Sequence, residues 1–135
     1  LGHDVPSEAG CSSGVLYFSQ STGVQVLSCD IYGCGVTGIS TYASDLTVQN
    51  SIIRDCSYDI AELSSSTSKF VGCTFSGNDY QGYSAPAFLV YKGSVTLDSC
   101  TFKDNKNNKL YGSWDDSTVG TWTESNCTYT GNGWQ

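Results

Sequence analysis

Few residues in this chain are equipped for chemistry, and their spacing limits what they do. The single histidine, His3, lies in the opening segment LGHDVPSEAGCSS. A nucleophile–histidine–carboxylate relay needs the imidazole within hydrogen-bond reach of a Ser or Cys, and His3 reads instead as part of an N-terminal linker. Glycoside hydrolysis needs two carboxyl groups facing each other across a cleft. Asp115 and Asp116 are the one adjacent acidic pair, in the segment LYGSWDDSTVG. The lone arginine, Arg54, stands next to Asp55 and reads as half of a surface ion pair. Seven cysteines invite a zinc reading, but no Cys-x-x-Cys occurs and only His3 offers an imidazole. No catalytic residue, metal ligand or cofactor is assigned.

The aromatic residues are more suggestive. Tyr80, Tyr83 and Tyr91 fall within 79–93, and Tyr111 and Trp114 within 106–121, beside Asp115 and Asp116. Exposed Tyr and Trp next to carboxylates offer a sugar ring both a stacking face and hydrogen bonds. Tyr80, Tyr83, Tyr111, Trp114, Asp115 and Asp116 are therefore the candidate ligand-binding residues. The competing reading is that these rings pack on the outside of the fold or cap its C-terminal end.

Charge narrows the partners. The net charge is −7, with six basic residues against thirteen acidic ones. So few cations cannot track a phosphate backbone, which excludes nucleic acid as the expected partner. An anionic membrane surface is disfavoured for the same reason, and no apolar run reaches the roughly 18 residues of a bilayer span. A glycan, or another domain of a parent protein, remains as partner.

What must position these residues is a repeat. Five segments align without gaps: VQVLSCDIYGC from Val24, LTVQNSIIRDC from Leu46, SKFVGCTFSGN from Ser68, VTLDSCTFKDN from Val95 and WTESNCTYTGN from Trp122. The sixth column holds Cys29, Ser51, Cys73, Cys100 and Cys127; the eighth holds Ile31, Ile53, Phe75, Phe102 and Tyr129. The eleventh holds Cys34, Cys56, Asn78, Asn105 and Asn132. The steps are 22, 22, 27 and 27 residues, so insertions fall outside the motif. Such a period means a solenoid, whose coils bury their apolar sides only by stacking. Alternation at Val24 and Val26, Leu46 and Val48, and Val95 and Leu97 gives strands with one face inward. Stacked in register, Phe75, Phe102 and Tyr129 form an aromatic column. Asn78, Asn105 and Asn132 form an amide ladder at a turn, where Asn tolerates a left-handed backbone.

The phrases SCDIYGCG, GCTFSGN, SCTFKDN and NCTYTGN resemble the right-handed parallel β-helix repeats of the pectin-lyase-like superfamily. The resemblance implies an all-β, single-stranded right-handed parallel β-helix of about five to six coils over residues 14–135. Residues 1–13 are expected to be an N-terminal cover or linker. The resemblance does not imply an activity, because the fold hosts lyases, hydrolases, adhesins and non-enzymes. The polysaccharide hydrolases of the superfamily carry several aspartates with a His and an Arg-Lys pair, and its pectate lyases carry calcium-binding aspartates and a catalytic Arg. Neither set is matched here.

The repeat explains the cysteines. Cys29, Cys73, Cys100 and Cys127 occupy an inward column, where a thiol packs as a small apolar group. Parallel Cβ vectors disfavour bonds within that column. Cys34 and Cys56 are the pair best placed for a disulfide, if one forms. The Asn126-Cys127-Thr128 glycosylation pattern is a by-product of the repeat, and Trp134 is placed to fold over the open end. Matching insertions in the last two coils are expected to project from one side as a loop-built face. The chain starts at Leu1 rather than Met, so a piece of a larger, extracellular or cell-surface protein is expected. Its expected role is a non-catalytic module binding carbohydrate on that face; the alternative is a fragment of a polysaccharide lyase or hydrolase.

Overall fold

The computed structural model of the chain describes residues 14–33, 36–82 and 85–135. Its fifteen strands among these residues, numbered in chain order, fall into three parallel five-stranded sheets. The first contains β1 (Leu16–Ser19), β4 (Ile39–Tyr42), β7 (Ala61–Ser64), β10 (Pro86–Tyr91) and β13 (Lys109–Gly112). The second contains β2 (Val24–Leu27), β5 (Asp45–Gln49), β8 (Thr67–Val71), β11 (Ser94–Asp98) and β14 (Thr121–Ser125). The third contains β3 (Asp30–Tyr32), β6 (Ile52–Arg54), β9 (Thr74–Ser76), β12 (Thr101–Lys103) and β15 (Thr128–Thr130). Each circuit of the chain contributes one strand to each sheet, so the molecule is a β-helix of five coils.

The register follows the sequence columns. Ile31 pairs with Ile53, Ile53 with Phe75, Phe75 with Phe102, and Phe102 with Tyr129. Val24, Leu46, Ser68, Val95 and Trp122 form a second column across the second sheet. Inward side chains of the middle coils are wholly buried, among them Ile53, Phe70, Phe75, Phe88, Leu97 and Phe102. Phe75 and Phe102 lie 4.8 Å apart, and Tyr129 stacks on Phe102 at 5.0 Å and 13°. Phe88 fits edge-on against both Phe70 and Phe75. The offset and edge-on contacts let a column of rings fill the interior.

Almost every strand ends in one residue with a left-handed backbone. These are Gln20, Ala43, Ser65 and Lys92 (there followed by a second, Gly93) after the first sheet, and Ser28, Asn50, Gly72, Ser99 and Asn126 after the second. After the third they are Gly33, Asp55, Gly77, Asp104 and Gly131. A single such residue turns an extended chain sharply, which produces the three corners of the coil. This corrects one expectation: the ladder asparagines are not the left-handed residues. The bend is made one position earlier, and Asn78, Asn105 and Asn132 follow it with their amides turned inward.

Those amides are chained together. Asn78 Nδ2 donates to Asn105 Oδ1 at 2.9 Å, and Asn105 Nδ2 to Asn132 Oδ1 at 2.8 Å. Each amide also donates to a carbonyl of the preceding coil, Ile53, Phe75 and Phe102 in turn. A shorter serine ladder lines the corner between the first and second sheets. Ser44 and Ser66 accept from the backbone N–H groups of Ser21 and Ser44 at 3.1 Å, and donate to the carbonyls of Tyr42 and Ser64. Glycine continues that column at Gly93, where a Cβ would lie 2.2 Å from the Ser66 carbonyl oxygen.

The cysteine column is inward only where it has neighbours on both sides. Cys73 and Cys100 are buried, Cys127 is half-buried and Cys29, in the first coil, is exposed. These four are free thiols. The neighbouring Cys73 thiol and burial together drive the Cys100 thiol well above its ordinary range. Cys34, His3 and the rest of 1–13 lie outside the described residues.

Candidate functional site

The two insertions occupy different corners, so they do not build a single wall. Ala61 pairs with Phe88 while Thr74 follows Ile52 at the regular spacing. The first insertion therefore lies in 77–87, on the way from the third sheet to the first. Tyr111 pairs with Phe88 and Trp122 with Val95. The second insertion therefore lies between those pairs, on the way from the first sheet to the second. Tyr80 and Trp114 stand at opposite edges of the first sheet. The expectation of matching insertions fails because equal coil lengths hide where within a coil the extra residues sit.

Tyr80 is exposed in the turn that follows the third sheet. Tyr83 lies outside the described residues. Trp114 is the most exposed large apolar side chain described, at 72%. It precedes a 3-10 turn at Asp116–Thr118 that is capped by Asp115, whose Oδ1 accepts from Ser117 N at 2.9 Å. These bonds hold the Asp115 carboxyl below the usual carboxylate range. Thr118 Oγ1 adds a bond to the Asp115 carbonyl at 2.7 Å, so the turn that follows Trp114 is well tied. Asp115 and Asp116 are neighbours on this one exposed turn rather than a pair facing across a cleft.

Tyr111 has two roles in the structure. It belongs to the inward column of the first sheet, in register with Phe88, and it is 39% exposed because it ends that column. Its ring stacks on Trp122 at 4.5 Å and 6°. Trp122 Nε1 donates to Glu124 Oε2 at 2.9 Å, and Tyr129 OH donates to the same oxygen at 2.7 Å. Burial, then the bond to the Glu124 carboxylate, pushes the Tyr129 phenol far above its ordinary range. The fifth coil thus carries a set of rings, Tyr111, Trp122 and Tyr129, of which the last two donate to one carboxylate. Trp122 and Glu124 were not among the residues singled out from sequence. The signal for Glu124 was present: it aligns with Val26, Val48, Phe70 and Leu97, a column otherwise wholly apolar.

Two other polar features lie elsewhere. Arg54 pairs with Asp30 at 3.0 Å and Asp55 at 2.8 Å, and its guanidinium lies 4.2 Å from the centre of the Tyr32 ring. It is the surface ion pair read from the sequence. A groove of about 260 Å³ runs over the outer side of the second sheet, lined by Gln25, Asp45, Thr47, Thr67 and Lys69. None of the candidate residues lines it.

The corner between the third and first sheets holds a buried acid that sequence reading missed. Asp59 is 4% exposed, and burial raises its carboxyl to about 7. Thr37 beside it eases the shift, and the charge on Glu62 adds to it. Neither Thr37 Oγ1 nor Asp59 Oδ1 completes a hydrogen bond of good geometry, and Ser57 Oγ and Asn107 Oδ1 in the same corner are also unpartnered. Glu62, half-buried, is raised by burial as well.

The comparison with known families decides the class. Residues 8–134 match the family model of the right handed beta helix region. The chain belongs to the right-handed β-helix family. No curated protein and no solved structure matches it. The five coils and their columns are therefore those of a right-handed β-helix, and neither the family nor the fold specifies an activity. No group of three or more His, Cys, Asp or Glu among the described residues is placed to hold a metal ion.

Proposed function

We propose that this β-helix is a non-catalytic module that binds carbohydrate at its C-terminal aromatic end, with Trp114 as the main stacking face. One observation carries the reading: a tryptophan 72% exposed to water sits before a turn that is hydrogen-bonded on itself. A solvated indole gains nothing for folding, and the tied turn beside it restrains its backbone, so less freedom is lost when a flat apolar ring lands on it. Tyr111, exposed three positions earlier, widens the surface. The carboxylates of Asp115 and Asp116 supply acceptors for hydroxyl groups. Tyr80, at the other edge of the first sheet, belongs to a separate surface.

Titration with a panel of neutral and acidic oligosaccharides, followed by tryptophan fluorescence and calorimetry, tests the reading. Saturable binding that Trp114→Ala abolishes, with thermal stability unchanged, is the expected result. A full panel without heat or spectral change overturns it and leaves the chain an architectural spacer.

A further inference from the structure

Asn126-Cys127-Thr128 is the one Asn-x-Ser/Thr triplet in the chain. The repeat supplies its residues, but its use depends on where the three side chains point. Cys127 is half-buried, a free thiol whose Sγ donates to the Ser125 carbonyl at 3.4 Å. The residues on either side of it face out. Asn126 is exposed at the corner between the second and third sheets, with φ at +54°, a left-handed conformation that Asn adopts readily. Thr128 is exposed at the start of β15, and its Oγ1 donates to Thr101 Oγ1 at 3.2 Å. The triplet thus presents the two residues that an acceptor motif requires and withdraws the one that it leaves free.

This exposure is independent of anything beyond the fifth coil. The fourth coil has strands paired on both sides. There Ser99 and Thr101, at the same two positions, are exposed, while Cys100 between them is buried. Ser28, Asn50 and Gly72 are exposed at the same corner of the first three coils. Asn50 also places an amide there, but Ile52 stands in the column of Thr128. The fifth coil alone of the five sets amide and hydroxyl on neighbouring outward columns.

We propose that Asn126 is an acceptor site for N-linked glycan. The donor class is an oligosaccharide carried on a lipid diphosphate. Asn126 Nδ2 forms a bond to the anomeric carbon, and the bond from that carbon to the diphosphate oxygen breaks. The lipid diphosphate leaves with the electron pair, and the amide gives up one proton to a base of the transferring enzyme. One amide hydrogen remains on Nδ2. The Ser99 hydroxyl and then the Asn126 amide hold the Asp98 carboxyl below the usual carboxylate range, and the remaining hydrogen preserves that contact. The saccharide stands clear of Trp114, because the five residues of β14 lie between them, about 17 Å of extended chain.

The test is peptide mass spectrometry across 125–135, before and after peptide N-glycosidase treatment in heavy-oxygen water. It is applied to the chain from its natural source and to the chain secreted from a eukaryotic host behind a leader. Both are expected to carry glycan on Asn126, and the enzyme to leave a heavy-oxygen aspartate there. Thr128→Ala is expected to abolish occupancy and Thr128→Ser to retain it, with the same melting temperature in both, since Thr128 is exposed. An unmodified Asn126 in either wild-type preparation, a glycan that persists in Thr128→Ala, or one that disappears in Thr128→Ser overturns the proposal.

Discussion

Two stretches of the same turn region, separated by only a few residues, treat buried polar groups in opposite ways. Immediately after the third sheet, Asn78, Asn105 and Asn132 are almost inaccessible to water, and each amide is bonded upward, downward and to a carbonyl. A few residues on, Thr37, Ser57, Asp59 and Asn107 are as deeply buried, yet each has an oxygen without a partner. The difference lies in repetition. The ladder has the same residue at the same place in three successive coils, so each copy satisfies the next. In the second stretch the residue types change from coil to coil and the insertion at 77–87 interrupts the stacking. Asn107 Nδ2 reaches both Tyr58 O and Ala85 O across that interruption, while its Oδ1 finds nothing. Burial of polar groups is cheap here only where the repeat is kept.

The strongest way to break this contrast is at the ladder's centre. Asn105→Ala removes the acceptor of Asn78 N and Nδ2 and the donor to Phe75 O and Asn132. Several buried groups are then stranded at once, and urea denaturation should show a loss of about 3–5 kcal/mol. The irregular stretch should respond in the opposite sense. Asp59 ionises near 3.8 in the unfolded chain but only at about 7 in the fold. Between those values the native state holds a proton that the unfolded state has released. The Asp59 contribution to stability is therefore most favourable at and below the lower value, falls as pH rises toward the upper one, and is flat above it. Asp59→Asn should remove most of that slope and stabilise the protein at pH 8 by on the order of 2–4 kcal/mol. Glu62, shifted the same way, leaves a residual slope.

Smaller effects sharpen the picture. Ser66→Ala strips the acceptor from Ser44 N and Thr41 Oγ1, in the shorter serine ladder; the expected cost is about 1–2 kcal/mol by the same denaturation assay. Arg54→Ala removes two exposed ion pairs and should cost less than about 1 kcal/mol, diminishing with added salt. A ladder mutation no costlier than the Arg54 change would mean that repetition contributes nothing beyond surface chemistry.

What could be read from the sequence was whatever recurs. The columns through Phe75 and Asn105 give the strand register directly, because parallel stacking places like residues over one another. The serine ladder was equally available, with Ser44 and Ser66 one period apart, but serine is so common in corners that it carries little signal. The location of the insertions was not legible: Tyr80 and Trp114 sit in coils of equal length, and the columns alone do not say which corner absorbs the excess. Asp59 was hidden for a related reason. Its neighbours Thr37 and Asn107 belong to other coils and share no residue type with it, so nothing in the pattern marks them as a group. Glu124 was visible as a break in an otherwise apolar column.

The backbone hydrogen bonds of this molecule run from coil to coil, along the length of the stack, while the chain itself runs around it. A pull on the two ends therefore loads the bonds of the outermost coil in sequence, like a zipper, rather than all together in shear. Extension should proceed in packets of one coil each, at modest force, with the phenylalanine-filled middle yielding last. A tether built from such a domain would lengthen by steps under load, as a damper does, instead of standing as a rigid strut.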